Sequence, residues 1–109
     1  MPNLEPDKNA AFYVVLNAGS GHSETELRCS TIRDVLGEAG RTCHLEIVED
    51  AANLAETARR MAQQAKDSGG VLVAAGGDGT INTVAHQAVV QGCVFGVLPQ
   101  GTFNYFGRT

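Results

Sequence analysis

The sequence has few lysines, an excess of acidic residues and no long apolar run, and each shortage argues against a class of protein. Lys8 and Lys66 are the only lysines, and the 109-residue chain carries a net charge of −4. This charge argues against a nucleic-acid footprint or a polybasic membrane patch. No apolar stretch approaches the length of a membrane span, and the polar N-terminus lacks the apolar segment of a signal peptide. The sequence therefore predicts a cytoplasmic protein that binds no nucleic acid.

The cysteines are also few. Cys29, Cys43 and Cys93 are odd in number and widely spaced, and they match neither a metal-ligand pattern nor a disulfide framework. We expect them to be reduced thiols in the core. Hydrophobic residues make up 43% of the chain, which is enough for one small globular domain with a single core. Residues 1–10 are polar and are predicted to be disordered.

Apolar runs and helical patterns alternate from residue 11 to residue 98. Runs rich in β-forming residues predict four strands, at residues 11–16, 43–48, 71–75 and 94–98. Three helices are predicted between them: one opened by the capping box of Ser23 and Glu26 and ending near Glu38, one capped by Asp50 and ending before Gly69, and one from Thr80 to near Gly92. No hairpin signal separates the strands. This alternation predicts an α/β fold: an open parallel sheet of about four strands with helices on both faces.

Polar, glycine-containing segments follow three of the predicted strands, at residues 17–22, 76–82 and 100–104. In an open parallel sheet, ligands bind outside the carboxyl ends of the strands, near a switch in strand order. A sheet order of 2-1-3-4 would bring the segments after strands one and three to one crevice, so we predict that order. The glycines allow a ligand to approach the backbone closely, and the N-terminus of the third helix favours an anion. These features predict a phosphate site.

Asp78 lies among the glycines of the sequence Gly-Gly-Asp-Gly-Thr, residues 76–80. A carboxylate beside phosphate oxygens is repulsive unless a cation lies between them. Mg²⁺ commonly uses one or two carboxylates together with substrate phosphates and water. We therefore predict a nucleotide–Mg²⁺ site in which Asp78 is the catalytic and metal-linked carboxylate and contacts the hydrated ion through water. The alternative is that Asp78 only caps the third helix.

The common phosphate-binding motifs are absent or incomplete. No G-x-x-x-x-G-K-[ST] sequence is present, and neither lysine lies near a glycine-rich segment. Residues 19–21 match only the G-x-G part of a dinucleotide fingerprint, although Glu49 and Asp50 would mimic its ribose-binding acid. A dehydrogenase-like site is therefore a minor alternative.

Two motifs resemble a known family. The sequence GGDGTIN (residues 76–82), together with LPQGTFNYFGR (residues 98–108), is similar to the diacylglycerol kinase catalytic domain family, which includes sphingosine kinases and bacterial lipid kinases. NAD kinases and phosphofructokinases share a stretch like the first motif, whereas the second is specific to the lipid-kinase branch. The segment NAGSG (residues 17–21) resembles the first-strand loop of the family, with Ala18 where proline is common. The resemblance spans residues 13–108.

The resemblance implies an N-terminal, Rossmann-like nucleotide-binding domain, residues 11–109, of an enzyme that transfers the γ-phosphoryl group of ATP to a lipid hydroxyl with Mg²⁺. Matched position by position to the family motifs, the resemblance implies that Asp78 contacts the metal ion. It also implies that the nucleotide is bound by Asn17, Ser20, Gly21, Gly76, Gly77, Gly79, Thr80, Gly101, Thr102 and Asn104. Many relatives also have a nucleotide-contacting threonine just past the second strand. Residues 46–52 contain none, so that contact is not expected here.

Family members continue into a β-rich second domain that carries lipid-binding surface and an acidic residue proposed as general base. The sequence stops at Thr109, soon after a strand, so we expect it to be a fragment that lacks this domain and is inactive by itself. In the full-length protein, the resemblance implies peripheral association with a membrane, and the open sheet edge suggests a homodimer. Two other functions stay open: an NAD kinase, and a non-catalytic module that holds nucleotide.

Overall fold

The computed structural model describes residues 10–18 and 22–99, with side chains at residues 10–18 and 25–98. Strands and helices alternate along the described chain. They are β1 (Phe12–Asn17), α1 (His22–Glu38), β2 (Cys43–Val48), α2 (Leu54–Ser68), β3 (Val71–Gly76), α3 (Asp78–Gln91) and β4 (Val94–Pro99), with a short 3₁₀ segment (Ala51–Asn53) before α2. Residues 1–9 lie outside this range, so the prediction that residues 1–10 are disordered stays a prediction.

The four strands form one all-parallel sheet in the order β2-β1-β3-β4. The predicted α/β fold and strand order are both confirmed. The order places β1 and β3 side by side at the centre, where Leu16 pairs with Ala75. The connections leave these two central strands in opposite directions, and the carboxyl ends of such strands are where open parallel sheets bind ligands.

Helices cover both faces of the sheet, as the sequence predicts. On one face, α2 and α3 pack on β1 and β3 through a cluster that includes Val15, Leu72, Ala58 and Val84. On the other face, α1 packs through Cys29, Ile32 and Leu36 on the alternate residues of the same strands, which are Val14, Leu16, Val71, Val73 and Ala75. Every residue of β3 is buried. Alternate side chains of a strand point to opposite faces, so two helical layers bury all of β3 and the middle four residues of β1.

The predicted starts of the three helices differ from the observed ones. Helix α1 begins at His22, so Ser23, the predicted cap, lies within it. Helix α3 begins at Asp78, two residues before Thr80, with Gly77 as an extended N-cap residue that provides no side-chain cap. Asp50 does cap a helical segment, but its carboxylate accepts from the amide of Ala52 at the start of the 3₁₀ segment, not of α2. These differences are close to the one or two residues by which helix ends commonly vary.

The prediction that all three cysteines lie in the core is correct only for Cys29. That residue is 5% exposed on α1, whereas Cys43 and Cys93 are half-buried free thiols. Cys43 begins β2, an outer strand of the described sheet, and Cys93 immediately precedes β4, the other outer strand. Outer strands have a neighbouring strand on one side only, so their side chains are less completely covered.

Candidate functional site

The carboxyl ends of the two central strands carry the first group of predicted site residues. Asn17 ends β1, Gly76 ends β3, and Gly76 pairs in register with Pro99 at the end of β4. Since Leu16 is the register partner of Ala75, Asn17 and Gly76 lie at the same level of the sheet. The structure therefore brings the end of β1 and the glycine-rich turn after β3 to one edge.

Gly76 makes the turn from β3 into α3. Its φ of +152° is a conformation that side chains disfavour, and a Cβ placed on it would lie 3.1 Å from both the Cβ and the Oγ1 atoms of Thr80. The side chain of Thr80 thus occupies the space beside the Gly76 backbone. This close approach explains why the first glycine of the motif has no side chain.

Thr80 is buried, with 3% of its surface exposed, and its hydroxyl oxygen accepts a hydrogen bond from the Asn17 side-chain amide at 3.2 Å. A buried hydroxyl needs a partner, because an unpaired one costs about 1–3 kcal/mol. Asn17 supplies that partner from the neighbouring strand. The hydrogen bond therefore ties the first turn of α3 to the end of β1.

The N-terminus of α3 lies at the same edge of the sheet. The first intrahelical hydrogen bond runs from the amide of Ile81 to the carbonyl oxygen of Gly77, at 3.0 Å. The amides of Asp78, Gly79 and Thr80 precede this bond, where a helix supplies no acceptor of its own. Amides at such a position, with the positive end of the helix dipole, favour an anion.

Asp78 is the acidic residue in the first turn of α3, and its side chain is exposed at the carboxyl edge of the sheet. Exposure keeps the carboxylate accessible to a hydrated ion. Within the described residues, no cluster of three or more Asp, Glu, His or Cys side chains is placed to hold a metal ion. An exposed carboxylate beside helix-terminal amides is a donor set that suits Mg²⁺ carried by substrate phosphates and water.

In the described part of the chain, no lysine side chain lies at the carboxyl edge of the sheet. Lys66 lies near the end of α2, and its Nζ atom is 3.3 Å from the position that a Cβ on Gly92 would take, just after α3. That point is at the opposite end of α3 from Asp78.

A cleft that the sequence does not predict lies between α1 and the outer strand β2. It has a volume of about 400 Å³ and is lined by Thr25, Glu26, Cys29, Ser30, Arg33, Asp34, Ile47 and Glu49. None of Asn17, Asp78 and Thr80 lines it. Among its lining residues, only Glu26 of the predicted capping box and Glu49 of the partial dinucleotide pattern belong to a sequence pattern. The cleft itself results from how α1 lies across β2. Its carboxylates give it an acidic lining that is poorly suited to phosphate.

The structure thus brings Asn17, Gly76, Gly77, Asp78, Gly79 and Thr80 together at one edge. Ser20, Gly21, Gly101, Thr102 and Asn104 lie outside the described residues, so their predicted roles stay predictions. Among the residues described, no helix is long and apolar enough to cross a lipid bilayer.

Comparison with known proteins agrees with the motifs that carry the resemblance. The model of the diacylglycerol kinase catalytic domain matches residues 11–109. A probable lipid kinase YegS-like protein of Serratia proteamaculans (strain 568) is 33% identical over 101 residues, and the match covers 88% of this chain. The same match covers 30% of that relative, so the chain spans less than a third of its length. From the sheet order, the glycine-rich turn and these matches, the chain belongs to the diacylglycerol kinase catalytic domain family.

Proposed function

We propose that this chain is the nucleotide-binding part of an ATP-dependent lipid kinase, which transfers the γ-phosphoryl group of ATP to a lipid hydroxyl. The observation that supports the proposal most is the convergence at one sheet edge of a helix N-terminus, a glycine turn and an exposed carboxylate, Asp78. Phosphoryl transfer depends chiefly on positioning and charge stabilisation, and this edge offers groups for both.

ATP phosphates would bind along the first turn of α3. The amides of Asp78, Gly79 and Thr80 provide donors there, and Gly77 and Gly79 bring no side chain to obstruct the approach. Mg²⁺, when bound, offsets negative charge on the phosphates and helps to orient them. Asp78 would hold the hydrated ion through its carboxylate. The amides hold the phosphate oxygens in place while the transferred group moves.

The acceptor would meet this edge from a part of the polypeptide beyond residues 1–109. The chain corresponds to 30% of a relative described as a lipid kinase, which leaves ample sequence for an acceptor-binding part. We propose that this further part supplies the general base and brings the cytoplasmic protein to a membrane surface, where the lipid lies. An isolated chain of residues 1–109 would bind ATP weakly and transfer no phosphate.

The test uses the full-length protein, ATP labelled in its γ-phosphate, Mg²⁺ and vesicles that contain diacylglycerol. We expect labelled lipid from the wild-type protein and strongly reduced labelling from Asp78→Asn. Asp34→Asn, a change at an exposed carboxylate on α1, is the matched control and should leave labelling intact. Phosphorylation of NAD and not of any lipid would indicate an NAD kinase, and saturable ATP binding without transfer to either acceptor would indicate a binding module.

A further inference from the structure

Asn17 and Thr80 form the one described contact in which a side chain of β1 bonds to the glycine-rich turn. The family resemblance implies that both residues contact the nucleotide. Because their side chains bond to each other, it has to be decided which atoms of the two residues are left to bind a ligand. Thr80 is only 3% exposed, and its hydroxyl oxygen is engaged by the Asn17 amide at 3.2 Å. The Thr80 side chain is therefore directed into the protein, and its backbone amide is the group left in the first turn of α3.

We propose that Asn17 is a positioning residue, whose amide holds the Thr80 side chain and thereby sets the first turn of α3 for phosphate. The inference rests on the proposed function. It differs from the direct nucleotide contact that the family resemblance implies for Asn17, because here the residue acts through Thr80.

Three features of the described structure support this role. The bond links β1 to α3 across 63 positions of sequence, so it fixes the helix against a strand that is not its own neighbour in the chain. Gly76 provides the space that Thr80 fills, with 3.1 Å between the Thr80 side chain and the site of an added Cβ. Gly77 contributes no side-chain cap to α3. Thr80 and Asn17 thus anchor a helix start that has no capping side chain of its own.

A double-mutant cycle separates positioning from direct contact. Asn17→Ala and Thr80→Val each remove one half of the hydrogen bond, and Val keeps the shape of Thr. We expect each single change to weaken Mg²⁺–ATP affinity of the full-length protein by about threefold to tenfold, the range for one net hydrogen bond. The double variant should bind no more weakly than the weaker single variant. If Asn17 instead contacts ATP directly, Asn17→Ala should cost the same factor in the Thr80→Val background, and that result would overturn the positioning role.

Kinetics and a conservative variant add readouts that general loss of stability would not change in the same way. Asn17→Ala should raise the KM for ATP and leave the KM for the lipid acceptor unchanged. Thr80→Ser keeps the hydroxyl and should retain most of the ATP affinity that Thr80→Val loses. Equal loss in Thr80→Ser and Thr80→Val would show that the methyl group matters and the hydrogen bond does not, which would also overturn the inference.

The matched control is a hydrogen bond of the same kind at the other end of β1. The hydroxyl groups of Tyr13 and Ser68 lie 3.0 Å apart and are also partly buried. Four residues of strand, or about 13 Å, separate Tyr13 from Asn17. Tyr13→Phe and Ser68→Ala should leave ATP affinity unchanged. An equal loss of ATP affinity in these variants would mean that the loss of any hydrogen bond between β1 and a helix disturbs the site. That result would contradict a specific role for Asn17.

Hydrogen exchange without nucleotide distinguishes failure of this inference from failure of the proposed function. The amide of Ile81 makes the first intrahelical bond of α3, to Gly77, at 3.0 Å. We expect it to exchange several times faster in Asn17→Ala than in the wild-type protein. Unchanged exchange at Ile81 would overturn the positioning role whatever the ligand. A wild-type protein that binds no ATP would overturn the proposed function, whereas faster exchange at Ile81 would still report the anchoring of the helix start.

Discussion

The Asn17 amide donates to the Thr80 hydroxyl at 3.2 Å, and the Thr80 side chain in turn packs against the backbone of Gly76. The three residues come from the end of β1, the end of β3 and the first turn of α3. They connect the two central strands of the sheet with the helix that begins at the candidate phosphate site. Changes at this point should therefore affect both stability and ligand binding.

Replacement of Gly76 by alanine should destabilise the protein by about 1–3 kcal/mol, because the residue has a φ of +152° and Thr80 occupies the space for a Cβ. The free energy of unfolding in urea measures the loss. Gly37→Ala is the matched control: a Cβ on Gly37 meets nothing within 4 Å, and alanine in helix α1 should be neutral or stabilising by up to about 1 kcal/mol. Equal effects at the two positions would contradict the strain at Gly76.

Asp78→Asn should preserve the fold, since the side chain is exposed and the replacement has nearly the same shape. We expect turnover of the full-length protein to fall by about 10²-fold or more if the carboxylate helps to hold the ion that offsets phosphate charge. Kinase rates across a Mg²⁺ titration measure the effect. The loss at Asp78 should vary with Mg²⁺ concentration, whereas the loss in Thr80→Ala, about 1 kcal/mol for one hydrogen bond, should not. Near wild-type activity of Asp78→Asn would rule out the metal-linked role.

Gly70→Ala should destabilise the fold without affecting nucleotide binding. A Cβ at this position would lie 2.5 Å from the carbonyl oxygen of Ala11 and 2.8 Å from the ring of Tyr13. The backbone or the ring would have to move, at a cost of about 1–3 kcal/mol. Because Gly70 precedes β3, at the edge opposite Asp78, ATP affinity measured below the melting transition should match that of the wild-type protein. A selective loss of affinity would show that the two edges are coupled.

Burial raises the pKa of the Cys43 and Cys93 thiols above the ordinary value of 9.0, although the Arg33 charge opposes the rise at Cys43 and the charge of Lys66 opposes it at Cys93. Since the thiolate is the reactive form, both residues should be alkylated more slowly than a free thiol at the same pH. Rates measured by mass spectrometry across a pH series, with glutathione as the control, test this expectation.

The same shift predicts how stability depends on pH. The folded state holds these thiol protons more tightly than the unfolded state, so their contribution is fully present below pH 9.0 and is lost as the pH rises through the folded pKa. Replacement of Cys43 and Cys93 by alanine should reduce this alkaline loss in urea unfolding. An unchanged slope above pH 9.0 would show that other groups cause it.

Self-association should occur through the outer edge of β4. Within the described sheet, β4 pairs with β3 alone, and its side chains from Val94 to Leu98 are only partly buried. An open apolar edge can pair with a second copy of the same strand. We expect Val97→Lys to shift a dimer toward monomer in analytical ultracentrifugation, with Val89→Lys, at an exposed position on α3, as the control. A monomeric wild-type protein would contradict this proposal.

The local pattern of the sequence was sufficient to predict the elements of the fold. The unbroken apolar run of Val71–Gly76 suits a strand that is covered on both faces, and the glycines at its end stop the run. Alternation of strands with helices left a parallel sheet as the natural arrangement, and the motif at residues 76–82 placed the candidate site at its carboxyl edge. These inferences depend on periodicity and on short-range backbone preferences, both of which are properties of the sequence itself.

Only the tertiary structure decided which side chains meet. Asn17 and Thr80 are far apart in sequence, and no periodic pattern connects them, so their hydrogen bond depends on β1 and β3 being neighbours. The start of α3 at Asp78 depends on the turn at Gly76, whose conformation is fixed by the packing of Thr80. The partial exposure of Cys43 likewise follows from the position of β2 at the edge of the described sheet. Contacts between distant segments arise when the elements pack, and local propensity carries no record of them.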